Sequence, residues 1–220
     1  LLSDMLESVN ASFDDLLAVG MAVPVPIDSR NGMVATPGLL RGWENVPIAE
    51  SLRTRIEVPV FVDNEANLGG LAEVRFGAAR GADVAAYIEV GHSISAGLLI
   101  DGALFRGVTG KAGQIGHVTI DENGPICRCG GRGCLDTLAS GPALLELFRD
   151  DPGMQRMSDL LVMAEAGDAS ARRVIADAGR HIGTAAASLC NLFDPQLLVL
   201  GGELSQAGET LLAPLRHALE

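Results

Sequence analysis

Apolar residues recur at helical spacing from the first position, at Leu1, Leu2, Met5, Leu6 and Val9, with no start signal ahead of them. The pattern reads as the middle of a helix, and the chain as a fragment. Leu16 to Ile27 is a Val-rich apolar run closed by Pro24 and Pro26, which predicts a buried strand leading into a loop over Asp28 to Gly38. Open α/β sheets place ligands beyond the carboxyl ends of such strands. Pro47 to Ile56 returns to helical spacing. Val58-Pro59-Val60-Phe61-Val62 then predicts a short buried strand that stops at a polar tip, Asp63-Asn64-Glu65, and Ala66 to Phe76 predicts a helix. Strand, tip and helix together form a βαβ-like signature.

Gly77 to Asp83 is small, glycine-rich and without apolar periodicity, which predicts a boundary between an N-terminal α/β lobe over 1–77 and a C-terminal lobe over 78–220. Val84 to Val90 and Ser95 to Ile100 predict two strands, and Asp101-Gly102 after them is a hairpin signal. Gly107 to Gly133 predicts a long loop. Ser140 ahead of Pro142 is an N-cap signal, and helical spacing follows to Leu147, over Met157 to Ala166 and over Ala169 to Leu192. Leu197 to Leu200 predicts one more buried strand, then Gly201-Gly202 and a last helix.

Composition narrows the class. With 48% hydrophobic residues and only 4% aromatic, the core must be built from Ala, Leu, Val and Ile, which suits closely packed α/β layers. The net charge of -12 excludes this stretch as a docking surface for a phosphate backbone, since nucleic-acid binding relies on Lys and Arg displacing counterions. No apolar run reaches the roughly 18 residues of a membrane span, and Leu1-Leu2-Ser3-Asp4 lacks the basic start of a signal peptide, so a cytoplasmic protein without membrane contact is expected.

The chemistry concentrates in one loop. Three of the four cysteines, Cys127, Cys129 and Cys134, stand in C-x-C-x4-C spacing after His117, a pattern that predicts a zinc site rather than a disulfide framework. Three thiolates and one imidazole fill a tetrahedron and leave no position for a reacting water, so the zinc is expected to be structural. The competing reading is three free thiols and an ordinary surface histidine. Cys190, among Ala and Leu on a predicted helix, reads as a buried small hydrophobe, and His92, His181 and His217 have no partner cluster.

Gly116-His117, followed by Cys127-Arg128-Cys129-Gly130-Gly131-Arg132-Gly133-Cys134-Leu135-Asp136, closely resembles the signature of the ROK family of sugar-responsive repressors and sugar kinases. The resemblance continues through Thr36-Pro37-Gly38, Trp43, Val62-Asp63-Asn64-Glu65-Ala66-Asn67, Ala96-Gly97-Leu98 and Leu200-Gly201-Gly202, nearly the whole chain. It implies an actin-like (ribonuclease H-like) two-lobed α/β fold, with part of the N-terminal lobe outside this chain, and a sugar held between lobes. Carried over, Asn64, Glu65, Gln114, His117 and Asp136 are the sugar-binding residues, with His117 also a zinc ligand. A metal-fixed imidazole is locked in orientation and can aim its other nitrogen at a hydroxyl.

The resemblance leaves two activities. A kinase of this family needs a carboxylate base, normally Asp, at the position of Glu65. Glu is one methylene longer, and a misplacement of about 1 Å can cost on the order of a hundredfold in rate. Gln114 and Asp136 both stand where the family has Glu. The segment Val90-Gly91-His92-Ser93-Ile94-Ser95-Ala96-Gly97 carries side chains where phosphate binding needs glycine, although His92 and Ser93 offer donors of their own. The leading expectation is therefore a sugar-sensing effector domain with no catalytic residue, zinc as its cofactor, and DNA bound through an upstream winged helix-turn-helix. The alternative is an ATP- and Mg-dependent hexose kinase with Glu65 as base, and a third is a zinc-stabilised interaction module without a ligand. The resemblance also implies a homodimer or homotetramer.

Overall fold

The structure, a computed structural model, describes residues 2–28, 30–36, 38–39, 42–43 and 46–220. Leu1 of the expected first helix and Pro37 of the expected loop lie outside the described residues. By contact the chain divides into two compact units, residues 1–65 with 108–111, and residues 66–107 with 112–220.

In the first unit α1 (Leu2–Ser8) buries Leu6. Strand β1 (Val19–Val23) is shorter than the apolar run predicts, because Pro24 and Pro26 have no N–H to give a ladder. Within the expected loop the chain makes a small antiparallel hairpin of β2 (Ile27–Asp28) and β3 (Met33–Val34). Its turn is held by Asp28, whose carboxylate accepts from the backbone N–H and guanidinium of Arg30. After α2 (Ile48–Arg53), strand β4 (Val60–Asn64) pairs parallel with β1, Val23 opposite Asn64, so both strands end at one polar tip.

The second unit opens with α3 (Glu65–Phe76), whose first residue still belongs to the first unit. Its sheet has the order β7-β6-β5-β8. Here β5 (Val84–Val90) and β6 (Ile94–Ile100) are antiparallel, β7 (Ala103–Leu104) extends the hairpin, and β8 (Leu197–Gly201) joins β5 in parallel. Helices α4 (Asp136–Ala139), α5 (Gly141–Glu146), α6 (Met157–Glu165), α7 (Ala169–Phe193) and α8 (Glu209–Leu219) supply the cover. The core packs Ile88, Val90 and Ala96 of the sheet against Leu135, Leu160, Ile175, Ile182 and Leu211, aliphatic and small residues as the composition implies.

The boundary expected at 77–78 falls inside the second unit. Helix α3 lies on β5 and β6, with Gly70 against Leu99 and Tyr87 and the Ala66 backbone pressed on Gly97, so apolar packing assigns it to the second sheet. Residues 77–83 are then only the turn that follows the helix.

Candidate functional site

The Cys/His loop is built from tight turns. Cys127 N–H donates to Gly131 O at 2.8 Å and Gly130 N–H to Cys127 O at 3.0 Å, folding Cys127 and Cys129 back on each other. Isolated bridges Thr119–Cys134 and Ile126–Arg132 close the loop, and the Arg132 guanidinium donates to Gly124 O at 2.8 Å. One candidate ligand atom from each of His117, Cys127, Cys129 and Cys134 lies within 4.8 Å of all the others. His117 Nδ1 is 3.6 Å from Cys127 Sγ, and Cys129 Sγ is 3.7 Å from Cys134 Sγ. A tetrahedral zinc with bonds of about 2.3 Å to sulfur and about 2.0 Å to nitrogen would hold its ligands roughly 3.8 Å apart for a sulfur pair and roughly 3.5 Å for a sulfur–nitrogen pair. The donor set and its spacing fit zinc, with Nδ1 of His117 toward the metal.

Burial opposes charge in this cluster when no cation is near. It pushes the Cys134 thiol up to about 12 and the Cys127 thiol up as well. Burial also acts upward on Cys129, but the Gly131 N–H and the neighbouring thiols outweigh it and the net displacement is downward. The imidazole of His117 is held below its ordinary range by burial, which favours the neutral, ligating form. A dication held by these residues would supply the field that turns the thiols into thiolates.

The segment leading to His117 is pinned on β6. Gly113 has φ +82°, its carbonyl accepts from Ala96 N–H at 2.7 Å, and a Cβ there would overlap the Ala96 carbonyl oxygen. Gln114 follows, half-buried, and a 3-10 turn over Ile115–His117 carries the chain into the metal loop. Two residues beyond Cys134, Asp136 is 8% exposed. Its Oδ1 accepts the Ile94 N–H at 2.8 Å and its Oδ2 lies 3.6 Å from the Arg128 guanidinium. Burial raises the pKa of Asp136 against these partners.

In the first unit, at the tip of β4, Asn64 is buried and its Nδ2 reaches Val23 O at 3.5 Å, while its N–H donates to Asp63 Oδ1 at 2.8 Å. Glu65 is half-buried at the start of α3. The expected site residues thus fall in two sets: Asn64 and Glu65 at one strand tip, and Gln114, His117 and Asp136 around the metal loop of the second unit.

In the second unit a cavity of about 380 Å³ lies beside the metal loop, walled by His92, Arg128, Asp136, Thr137, Ser140 and Glu146 among others. The turn between β5 and β6 forms part of it. Gly91 N–H donates to Ser93 O at 3.1 Å, Ser93 is buried and His92 is exposed. Across residues 1–220 the sequence matches the profile of the ROK family. The chain belongs to the ROK family.

Its relatives within the ROK family are of two kinds. The chain is 34% identical to a glucokinase of Halalkalibacterium halodurans, covering all of this chain and 71% of that protein. It is 33% identical to the xylose repressor of Bacillus subtilis, covering 91% of this chain and 52% of that protein. Among solved structures it matches a ROK family glucokinase from Streptomyces griseus in complex with glucose and AMPPNP, with TM-score 0.85, 28% identity, and coverage of 99% of this chain and 76% of that one. It also matches a ROK family transcriptional regulator homologous to the E. coli MLC protein, with TM-score 0.82, 26% identity, and coverage of 99% and 58%. The chain spans about half the length of the repressors and about seven tenths of the kinases. The ROK fold of this chain is the mixed α/β, actin-like sugar-kinase fold. No helix among its described residues is long and apolar enough to cross a membrane.

Two polar residues of this ROK site carry no role in the sequence pattern alone. Arg128 stands there only as a spacer between two ligands, and Ser140 only as a cap; both line the 380 Å³ cavity, and Ser140 is buried there. A cation placed between two thiolate ligands is the available signal for Arg128.

Proposed function

We propose that this chain is the sugar-sensing effector region of a ROK transcriptional regulator, acting in the cytoplasm, with DNA contacted by a segment outside residues 1–220. The observation that carries the reading is the turn between β5 and β6. A loop that binds phosphate through its backbone needs N–H groups free to converge on the anion. Here the Gly91 N–H is directed to Ser93 O and the Ile94 N–H to Asp136. A buried carboxylate therefore holds one of the amides that a backbone phosphate site would need. The net charge of -12 supports the same reading, since this region would not itself lie on DNA.

Asn64, Glu65, Gln114 and His117 are the hydroxyl-binding residues in this reading, and the resemblance adds Asp136. Amide and carboxylate groups offer the paired donors and acceptors that separate one sugar epimer from another. Zinc on His117, Cys127, Cys129 and Cys134 holds the loop in place and leaves Nε2 of His117 for the ligand. The sugar must bind one conformational state better than the other, because a ligand with equal affinity for both shifts nothing. The test is titration of the full-length protein on its operator DNA with xylose, glucose and N-acetylated amino sugars. A change in apparent DNA affinity of about fivefold or more with one of them is expected. Unchanged affinity with all of them sinks the reading.

One observation favours a hexose kinase instead, the TM-score of 0.85 to a glucokinase in complex with glucose and AMPPNP. In that reading Glu65 is the base and Mg-ATP the phosphoryl donor. It predicts ADP release with glucose or an N-acetylated amino sugar, abolished by Glu65→Gln.

A further inference from the structure

We propose that Asp136 is a positioning residue, a brace that ties the metal cluster to the start of β6. Three observations converge on its carboxylate. Oδ1 accepts the Ile94 N–H at 2.8 Å, the first amide of β6. Oδ2 faces the Arg128 guanidinium at 3.6 Å, and Arg128 sits between the ligands Cys127 and Cys129. The same carboxylate packs against Gly116, where a Cβ would come 2.6 Å from Oδ1 and would overlap the Ile94 carbonyl oxygen. Only a glycine lets the turn before His117, the head of β6 and the carboxylate share this space.

The carboxylate is 8% exposed, with Oδ1 hydrogen-bonded and Oδ2 in a looser ion pair. The chain from metal to turn is short. Cys134 holds the metal, Leu135 is fully buried, and Asp136 bonds Ile94 directly after the residues 91–93 turn. Loss of zinc would free Cys134 and with it the anchor of that turn. The brace serves a sensor and a kinase alike, so its failure would not bear on the choice between them.

The experiment is amide hydrogen exchange on the zinc-loaded chain, with chelator competition to measure zinc retention. Asp136→Ala should raise exchange at Ile94 by roughly tenfold or more and release zinc at lower chelator, while Ile182 in the α7 core is unchanged. Asp136→Asn keeps an oxygen acceptor in the same place and should restore protection at Ile94. Protection at Ile94 that survives Asp136→Ala, or an Asn variant as open as the Ala variant, overturns the brace. If the Ala variant does not fold, chelator titration of the unmutated chain decides. Residues 91–95 should open before α7, and simultaneous opening of both overturns the proposal.

Discussion

Gly113→Ala is a direct probe of how the site loop is mounted. At φ +82° an alanine costs roughly 1–2 kcal/mol relative to glycine, because its Cβ crowds the following carbonyl. The Cβ would also overlap the Ala96 carbonyl oxygen, so the backbone must retreat from β6. That retreat breaks the 2.7 Å bond from Ala96 N–H to Gly113 O and strands an amide on a residue only 1% exposed. A buried donor left without a partner costs about 1–3 kcal/mol. The two together come to roughly 2–5 kcal/mol. Gly130→Ala provides the control. Gly130 has φ +93° but a Cβ there would meet nothing within 4 Å, so the substitution should cost only the first part, roughly 1–2 kcal/mol. Urea unfolding of both variants followed by circular dichroism, with the slope unchanged, gives the two numbers from the midpoints. Equal destabilisation by the two substitutions would refute the argument, because it would mean that the close approach of Gly113 to β6 contributes nothing.

Cys129→Ser should lower zinc stoichiometry on purified protein and weaken sugar binding by loosening the loop that carries Gln114 and His117; full sugar affinity in a zinc-free variant would contradict that link. Arg30→Ala should raise the carboxyl titration of Asp28, followed by NMR, from about 2 toward 3.8 but not fully, because the backbone N–H of residue 30 still donates at 3.0 Å. The sign follows from the lowered pKa: the charged, bonded form stabilises the β2–β3 turn above pH 3.8 and that contribution is lost as pH falls toward 2. An Asp28 titration unmoved by Arg30→Ala would mean the ion pair does not form in solution.

Periodicity and local chemistry are enough to find most elements of the second unit, because its strands and long helices carry their apolar residues at regular spacing. Val84–Val90, the 169–193 helix and the 197–201 strand lie within a residue or two of where the pattern puts them. The first unit is harder. The β2–β3 hairpin is two residues per strand, too short for any period to show, and it is held by the Asp28 side chain rather than by an apolar face. The boundary at 77–78 fails for a different reason: a glycine-rich turn marks the end of a helix but says nothing of which sheet the helix covers. For the site, residue spacing finds the four residues of the His/Cys cluster, since three cysteines in eight residues leave few geometries. It cannot show that Asp136 accepts the Ile94 amide, because that contact spans 42 positions of sequence.

The proposed hydroxyl-binding residues do not by themselves separate sensor from kinase. Asn64, Glu65, Gln114 and His117 would hold a sugar for either purpose, since recognition of hydroxyls is needed both to respond to a sugar and to phosphorylate it. What differs is the treatment of a second, highly charged ligand. A kinase must keep backbone N–H groups free for phosphate and keep carboxylates other than its base and metal ligands away from it. In this chain the Gly91 and Ile94 amides at the β5–β6 turn are directed to Ser93 O and Asp136, and the adjoining cavity is lined by the acidic Asp136 and Glu146 together with Arg128 and His92. The same hydrogen bond that ties the Cys/His loop to the head of β6 thus withholds the Ile94 amide from any anion.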